Sequence, residues 1–274
     1  MDNLLEWMSG QNAVWLAFLA TSFTWFSTAV GASFVFLFKK VHRGLFDGLL
    51  GFSGGVMIAA SFFSLLSPAL DIAEEIYPNI KWLPVASGFL FGALFLFGMD
   101  KLLPHLHINF KEKDSEGIKT PWQKTTLLTL AITMHNIPEG LAVGVLFGGV
   151  ALGIPEASIA GALILTIGIG IQNFPEGTAV AMPLRRMGMS RKKSFLLGQA
   201  SALVEPIAAV IGAMAVAFFT PILPYALAFA AGAMIFVVVE EVVPETQQNK
   251  NTDIATLGFI IGFVVMMSLD VALG

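Results

Sequence analysis

The 274-residue chain contains no cysteine, which excludes disulfides and thiolate metal ligands together. Histidine is nearly as scarce. There are four, at 42, 105, 107 and 135, and no His-Glu-x-x-His string, so the usual helix-borne site of a metalloprotease is missing. Charge is thin as well: Asp, Glu, Lys and Arg make up 12% of residues, where a soluble domain carries roughly 25%. No Lys or Arg precedes the first apolar stretch, so it lacks the basic start of a signal peptide and is expected to remain in the mature protein. None of the apolar stretches alternates with a period of two, which excludes membrane-spanning strands.

What the chain has in quantity is apolar length. Hydrophobic residues reach 56% and mean hydropathy is +0.79. Eight spans stand out, at about 11–38, 48–70, 82–103, 122–150, 155–184, 191–219, 222–246 and 253–273. Each reaches the ~20 residues that cross the hydrocarbon core as helix; the longer ones imply tilt or extension past the headgroups. Backbone polar groups must be satisfied within the chain in lipid, so helices are the expected form. The expectation is one all-α transmembrane domain over residues 1–274. Its only long connection is a polar segment at 104–121, carrying Lys111-Glu-Lys-Asp-Ser-Glu-Gly117. His105 and His107 in that segment could touch metal, although two histidines make no chelating cluster.

The basic residues give an orientation. Lys39, Lys40 and Arg43 follow span one, and Lys101, Lys111, Lys113, Lys119 and Lys124 follow span three. Arg185, Arg186, Arg191, Lys192 and Lys193 follow span five, and Lys250 follows span seven. Of the 15 Lys and Arg, only Lys81 falls on the other face. The positive-inside rule puts the basic loops in the cytoplasm and both termini outside, as expected for a multi-pass protein of the inner (plasma) membrane. An odd number of spans would break this alternation.

Two strings inside the spans carry the chemistry: His135-Asn-Ile-Pro-Glu-Gly140 and Gln172-Asn-Phe-Pro-Glu-Gly177. Residues 135–143 and 172–180 align with a shift of 37. A weaker echo matches Phe52, Gly55, Met57 and Ile58 to Phe229, Gly232, Met234 and Ile235, a shift of 177. Spans four and five run in opposite directions, as do two and seven, so the pattern is that of inverted repeats around a midplane site. Chance in a Gly- and Ala-rich chain is the competing account of the second echo.

Ionisable side chains inside a span are costly and mark function by default. On a helix, positions i, i+1 and i+4 share a side, so His135, Asn136 and Glu139 project together, as do Gln172, Asn173 and Glu176. Pro138 and Pro175 free the carbonyls of Met134 and Ile171 and are expected to kink their helices. Glu205, beside Pro206, adds a third intramembrane carboxylate. One imidazole, three carboxylates and three amides suit a first-row divalent metal such as zinc, iron or manganese. Carboxylates in a low-dielectric interior need a metal or a proton, so metal binding is expected to release protons. The competing account is a set of proline-kinked helices whose polar groups only bond one another.

The paired strings resemble the signature helices of the ZIP (Zrt/Irt-like) divalent metal transporters, in particular the bacterial branch, and the resemblance covers essentially the whole chain. It implies a two-metal centre in which Glu139 and Glu176 bridge both ions. His135 and Gln172 would complete the first site, and Asn136, Asn173 and Glu205 the second. Met57 is a gap-filling residue from its own context; the resemblance makes it a ligand of the first site. Glu240 and Glu241 match a region tied to metal release, and a solvated interfacial pair is the other reading. Some relatives have Asp at the position of Asn173 or His at that of Gln172. Both departures lower ligand charge or basicity here, which makes the second site weaker or modulatory.

The reading is therefore an importer of divalent metal, zinc first, with iron, manganese, cadmium and cobalt as alternatives. No enzyme activity and no cofactor are expected. Partners are the metal ions and the bilayer, with a homodimer often implied by the resemblance and no nucleic acid. The resemblance also implies that spans 1, 4, 5 and 6 move against 2, 3, 7 and 8; carrier and channel behaviour both fit. A sensor or receptor would need an output domain, and none is visible. The charge asymmetry makes a direct prediction. A cysteine placed within 111–117 should react with an impermeant maleimide only from the cytoplasm, and one at the C-terminus only from outside. The reverse pattern refutes the orientation, and labelling of both from one side refutes the span count.

Overall fold

A computed structural model describes residues 7–8, 10–38, 42–103, 124–154, 157–218, 220–247 and 251–273. The polar segment at 104–121, with His105 and His107, lies outside them. Among the described residues, eight helices are long and apolar enough to cross a membrane: α1 (Ala13–Leu37), α2 (Arg43–Ile76), α3 (Trp82–Leu102), α4 (Thr125–Ala151), α5 (Ile159–Arg186), α6 (Arg191–Val216), α7 (Leu223–Gln247) and α8 (Thr252–Leu273). Among the described residues there is no strand. Polar residues set several starts. The Asn12 side chain accepts from the Val14 and Trp15 amides at 2.9 and 3.2 Å, and Ser158 accepts from Gly161 at 2.9 Å. Large apolar side chains such as Phe91, Ile211 and Leu257 are exposed; lipid is the solvent that accommodates such a surface.

The helix that departs most from the hydropathy reading is α2. The apolar window at 48–70 grows to Arg43–Ile76. Its first turn is polar yet helical because Arg43 and Asp47 form an i,i+4 ion pair at 2.9 Å. Its last turns carry Asp71, Glu74 and Glu75, charges that lower hydropathy without interrupting the helix. Both motif helices run unbroken through their prolines, Pro138 in α4 and Pro175 in α5.

The helices pack as four parallel pairs, α1 with α5, α4 with α6, α2 with α8 and α3 with α7. Backbone-to-backbone contact at glycine makes these pairs tight. A Cβ on Gly177 would lie 2.0 Å from the Thr28 carbonyl oxygen, and one on Gly140 would lie 2.4 Å from that of Glu205. Small residues at such crossings are how membrane helices gain van der Waals contact when lipid offers no hydrophobic drive. Contacts are extensive within the group α1, α4, α5, α6 and within the group α2, α3, α7, α8. Between the groups they run chiefly along α2/α5 and α4/α7.

This pattern has an internal symmetry. Exchanging α1 with α6, α2 with α7, α3 with α8 and α4 with α5 turns the pair α1/α5 into α6/α4, and α2/α8 into α7/α3. The α2 and α7 helices each widen into a π-helical stretch, Ala60–Leu66 and Val238–Val242. Moved by the 177-residue shift of the weaker sequence echo, the second stretch falls inside the first. Chance similarity of small residues does not account for that coincidence, and π stretches concentrate at functional sites.

Candidate metal centre

The motif residues converge where α4 and α5 meet α1, α2 and α6. Helix α5 is the hub, and three of its side chains fan out to different neighbours. Gln172 donates from Nε2 to Glu139 Oε1 on α4. Asn173 Nδ2 donates to both oxygens of Glu205 on α6, at 2.9 and 3.0 Å, and lies 3.1 Å from the Thr24 carbonyl of α1. Glu176 Oε1 accepts from Ser53 Oγ of α2 at 2.9 Å. Thr24 Oγ1 also donates to Glu205. Gln172, Asn173 and Glu205 are fully buried, and Asn136 and Glu139 are 1% exposed.

The predicted residues divide into two neighbourhoods. Met57, His135, Glu139 and Glu176 line one cavity of about 50 Å³, shared with Glu241 and Glu245 of α7. Gln172 joins this group through its bond to Glu139. Asn173 and Glu205 form the second neighbourhood, closed by Thr24. Asn136 sits at the same crossing but donates to the Ser201 carbonyl of α6 at 3.0 Å. The i, i+1, i+4 argument holds for His135 and Glu139, which share the cavity, while Asn136 turns toward α6.

Donor and acceptor capacity do not match in this space. Four buried oxygens have no hydrogen-bond partner: Asn136 Oδ1, Glu139 Oε2, Gln172 Oε1 and Asn173 Oδ1. Leaving a buried acceptor unpaired costs about 1–3 kcal/mol, and more for a charged one. A cation is the complement that satisfies several bare oxygens at once. Among the described residues, no three His, Cys, Asp or Glu side chains gather as a metal cluster by themselves. The donors are a mixture of carboxylate, amide and imidazole, a set that favours a borderline divalent ion over a soft one.

Of the pair near the end of α7, Glu241 faces the cavity and lies 2.9 Å from His135 Nε2, whereas Glu240 is exposed. Three participants lie outside the residues expected from the sequence: Thr24 and Ser53, which donate to carboxylates, and Glu245 of the cavity wall. Thr24 is one of five hydroxyl residues, with Thr21, Ser22, Ser27 and Thr28, in an otherwise apolar span, and nothing in the sequence sets it apart from them. Ser53 stands within the Phe52–Met57 string.

The chain is similar to known zinc transporters along most of its length. The family model described as ZIP Zinc transporter matches residues 111–270. The zinc transporter ZIP11 of Homo sapiens is 41% identical, covering 97% of this chain and 100% of its own length. The zinc transporter ZIPB of Bordetella bronchiseptica is 38% identical, covering 97% of this chain and 85% of its own. The zinc transporter ZupT of Streptococcus mutans is 34% identical over 91% of this chain and 94% of its own. Similarity thus extends to vertebrate and bacterial relatives alike, and the particular likeness to a bacterial branch is not supported.

The Asn173–Glu205 contact generates a prediction. In Asn173→Asp the donor amide becomes a second carboxyl group about 3 Å from the first, and a hydrogen bond worth about 0.5–1.5 kcal/mol is lost. The variant should melt below wild type in chelator, and added zinc should raise its melting temperature more than that of wild type. Equal melting in chelator would mean that Asn173 does not hold Glu205.

Proposed function

The chain belongs to the ZIP family of zinc transporters, and on that premise we propose that it imports divalent transition metal through a binuclear centre within the membrane. Zinc is the first substrate; iron, manganese, cadmium and cobalt are the alternatives for the same donor set. The observation that carries this reading is the single cavity lined by Met57, His135, Glu139 and Glu176. With Gln172 it makes the first metal site. Asn136, Asn173 and Glu205 make the second, with Glu139 and Glu176 bridging the two. The bare oxygens of Asn136, Glu139, Gln172 and Asn173 support both.

The second site is the weaker. Its carboxylate, Glu205, already has donors from Asn173 and Thr24, so a metal there must displace protein hydrogen bonds. Transport follows from relative motion of the two helix groups, because contacts across their boundary are sparser than those within each. The cavity extends toward Glu245, at the end of the bundle that holds Arg43, Lys101, Arg185 and Arg186. By the charge rule that end is cytoplasmic, so this conformation is the one from which metal leaves inward. The protein works in the inner membrane, with both termini outside, and assembles as a homodimer.

Purified protein in sealed liposomes should carry zinc or cadmium down its gradient. Glu139→Ala and Glu176→Ala should each abolish uptake at low metal, whereas Asn173→Ala should retain a substantial fraction. Flux no greater than in protein-free vesicles, across several metals, would end the transporter reading. Normal uptake by Glu139→Ala in folded protein would end its bridging role.

A further inference from the structure

A second cleft, of about 300 Å³, lies at the basic end of the bundle and shares no lining residue with the metal cavity. One wall is the start of α4, with Thr125, Thr126, Thr129 and Thr133; the other is the α5–α6 connection and α6, with Met189 and Leu197. Thr125, Thr129 and Thr133 stand at i, i+4 and i+8 and so share one helix face. That face covers about 12 Å of the α4 axis. The opposite wall is fixed by its own turn. Gly188 reverses the chain at a φ of 93°, a left-handed value that glycine adopts freely. Arg185 Nη1 donates to the Met189 carbonyl at 2.7 Å, and the Ser190 hydroxyl accepts from the Lys193 amide at 3.3 Å.

Charge at this end of the bundle is of one sign. Arg185, Arg186, Arg191, Lys192 and Lys193 fall within nine residues, and neither 124–138 nor 177–204 contains Asp or Glu. Lys193 stands four residues before Leu197 on α6 and shares the face that lines the cleft. Lys192 shares the face of Leu196, which is exposed. The hydroxyls constrain an occupant further. Thr129 donates to the Thr125 carbonyl at 2.9 Å and Thr133 to the Thr129 carbonyl at 2.8 Å. A threonine has a single hydroxyl hydrogen, so these two are spent and acceptor capacity remains. A bare phosphate, all acceptor, matches the basic wall and not the threonine wall. A metal cation is repelled by the basic wall. A group with an anion at one end and hydroxyl donors at the other satisfies both.

We propose that this cleft binds the hydroxylated headgroup of an anionic phospholipid, its phosphate toward Arg185 and Lys193 and its hydroxyls toward Thr129 and Thr133. The cleft sits at the ends of membrane-spanning helices, where a headgroup is held while its acyl chains run along exposed side chains such as Leu196. Basic clusters beside a membrane span attract anionic lipids; here the threonine stripe adds a preference among them. Helices α4, α5 and α6 all belong to one of the two helix groups, so the lipid attaches to that group without bridging the boundary. Binding at this cleft is independent of metal transport.

The test titrates full-length protein, stripped of lipid in neutral detergent, and counts bound lipid by native mass spectrometry. Three probes are used: phosphatidylglycerol, with phosphate and headgroup hydroxyls; phosphatidic acid, with phosphate alone; and phosphatidylcholine, with no net charge. Wild type should retain phosphatidylglycerol in preference to phosphatidylcholine. Lys193→Gln should weaken both anionic lipids about fivefold, and Lys192→Gln clearly less. Thr129→Val/Thr133→Val keeps the branched shape; it should weaken phosphatidylglycerol at least about threefold and leave phosphatidic acid unchanged. Equal losses from Lys192→Gln and Lys193→Gln would overturn the site, because a diffuse basic surface makes no such distinction. Unchanged phosphatidylglycerol affinity in the threonine variant would overturn the headgroup assignment. Displacement of phosphatidylglycerol by an equal concentration of glycerol phosphate would overturn the lipid in favour of a soluble ester. The two lysines are exposed, so their variants decide the matter even if the threonine variant fails to fold.

Discussion

The backbone of Glu205 lies against Gly140, and that of Thr28 against Gly177, with no side chain between them. These two contacts bring α6 onto α4 and α1 onto α5 beside both prolines. They also draw Glu139, Glu176 and Glu205 into one enclosed region of a bundle that lipid surrounds. Every other feature of the centre answers the electrostatic problem this creates. Gln172, Asn173, Thr24 and Ser53 each donate to a carboxylate. Those donors do not suffice, and Asn136 Oδ1, Glu139 Oε2, Gln172 Oε1 and Asn173 Oδ1 keep no hydrogen-bond partner. A larger residue at either glycine would separate the helices and pull the three glutamates apart along with the packing.

The exchange symmetry of the helix contacts gives this centre its setting. Helices α4 and α5 map onto each other, so their motifs meet at the symmetry element of the bundle. Helices α2 and α7 map onto each other too, and each flanks the centre from the second group, through Ser53 and Met57 on one side and Glu241 on the other. Each carries a π stretch at the matching position. One group supplies most of the proposed ligands, and the other supplies much of the remaining cavity wall, including Glu241 and Glu245. In the proposed transport, such a division would let the proposed ligand set travel as a unit while the walls change around it.

Much of this was legible in the sequence because lipid punishes polar groups severely. The eight spans, both motif strings and Glu205 stood out against apolar surroundings for that reason. The hydroxyl partners were not singled out, since Ser and Thr are tolerated in membrane helices by bonding their own backbone and so carry little signal. Glu240 and Glu241 were indistinguishable for a different reason. A helical wheel assumes 3.6 residues per turn, and the π stretch at Val238–Val242 resets the phase at that point. Only the structure turns Glu241 inward and Glu240 out. The extent of α2 was underestimated because the Arg43–Asp47 ion pair at its start and the charged turns with Asp71, Glu74 and Glu75 at its end lower hydropathy while the helix continues.

The central claim is that divalent metal sits between the two motif glutamates. Crystals grown with zinc and measured at the zinc absorption edge test this most directly. The account predicts anomalous peaks between Glu139 and Glu176, the stronger beside His135 and Gln172 and a weaker one about 3.5–4 Å away toward Asn173 and Glu205. Zinc confined to surface groups such as His42, with no peak between Glu139 and Glu176, would contradict it.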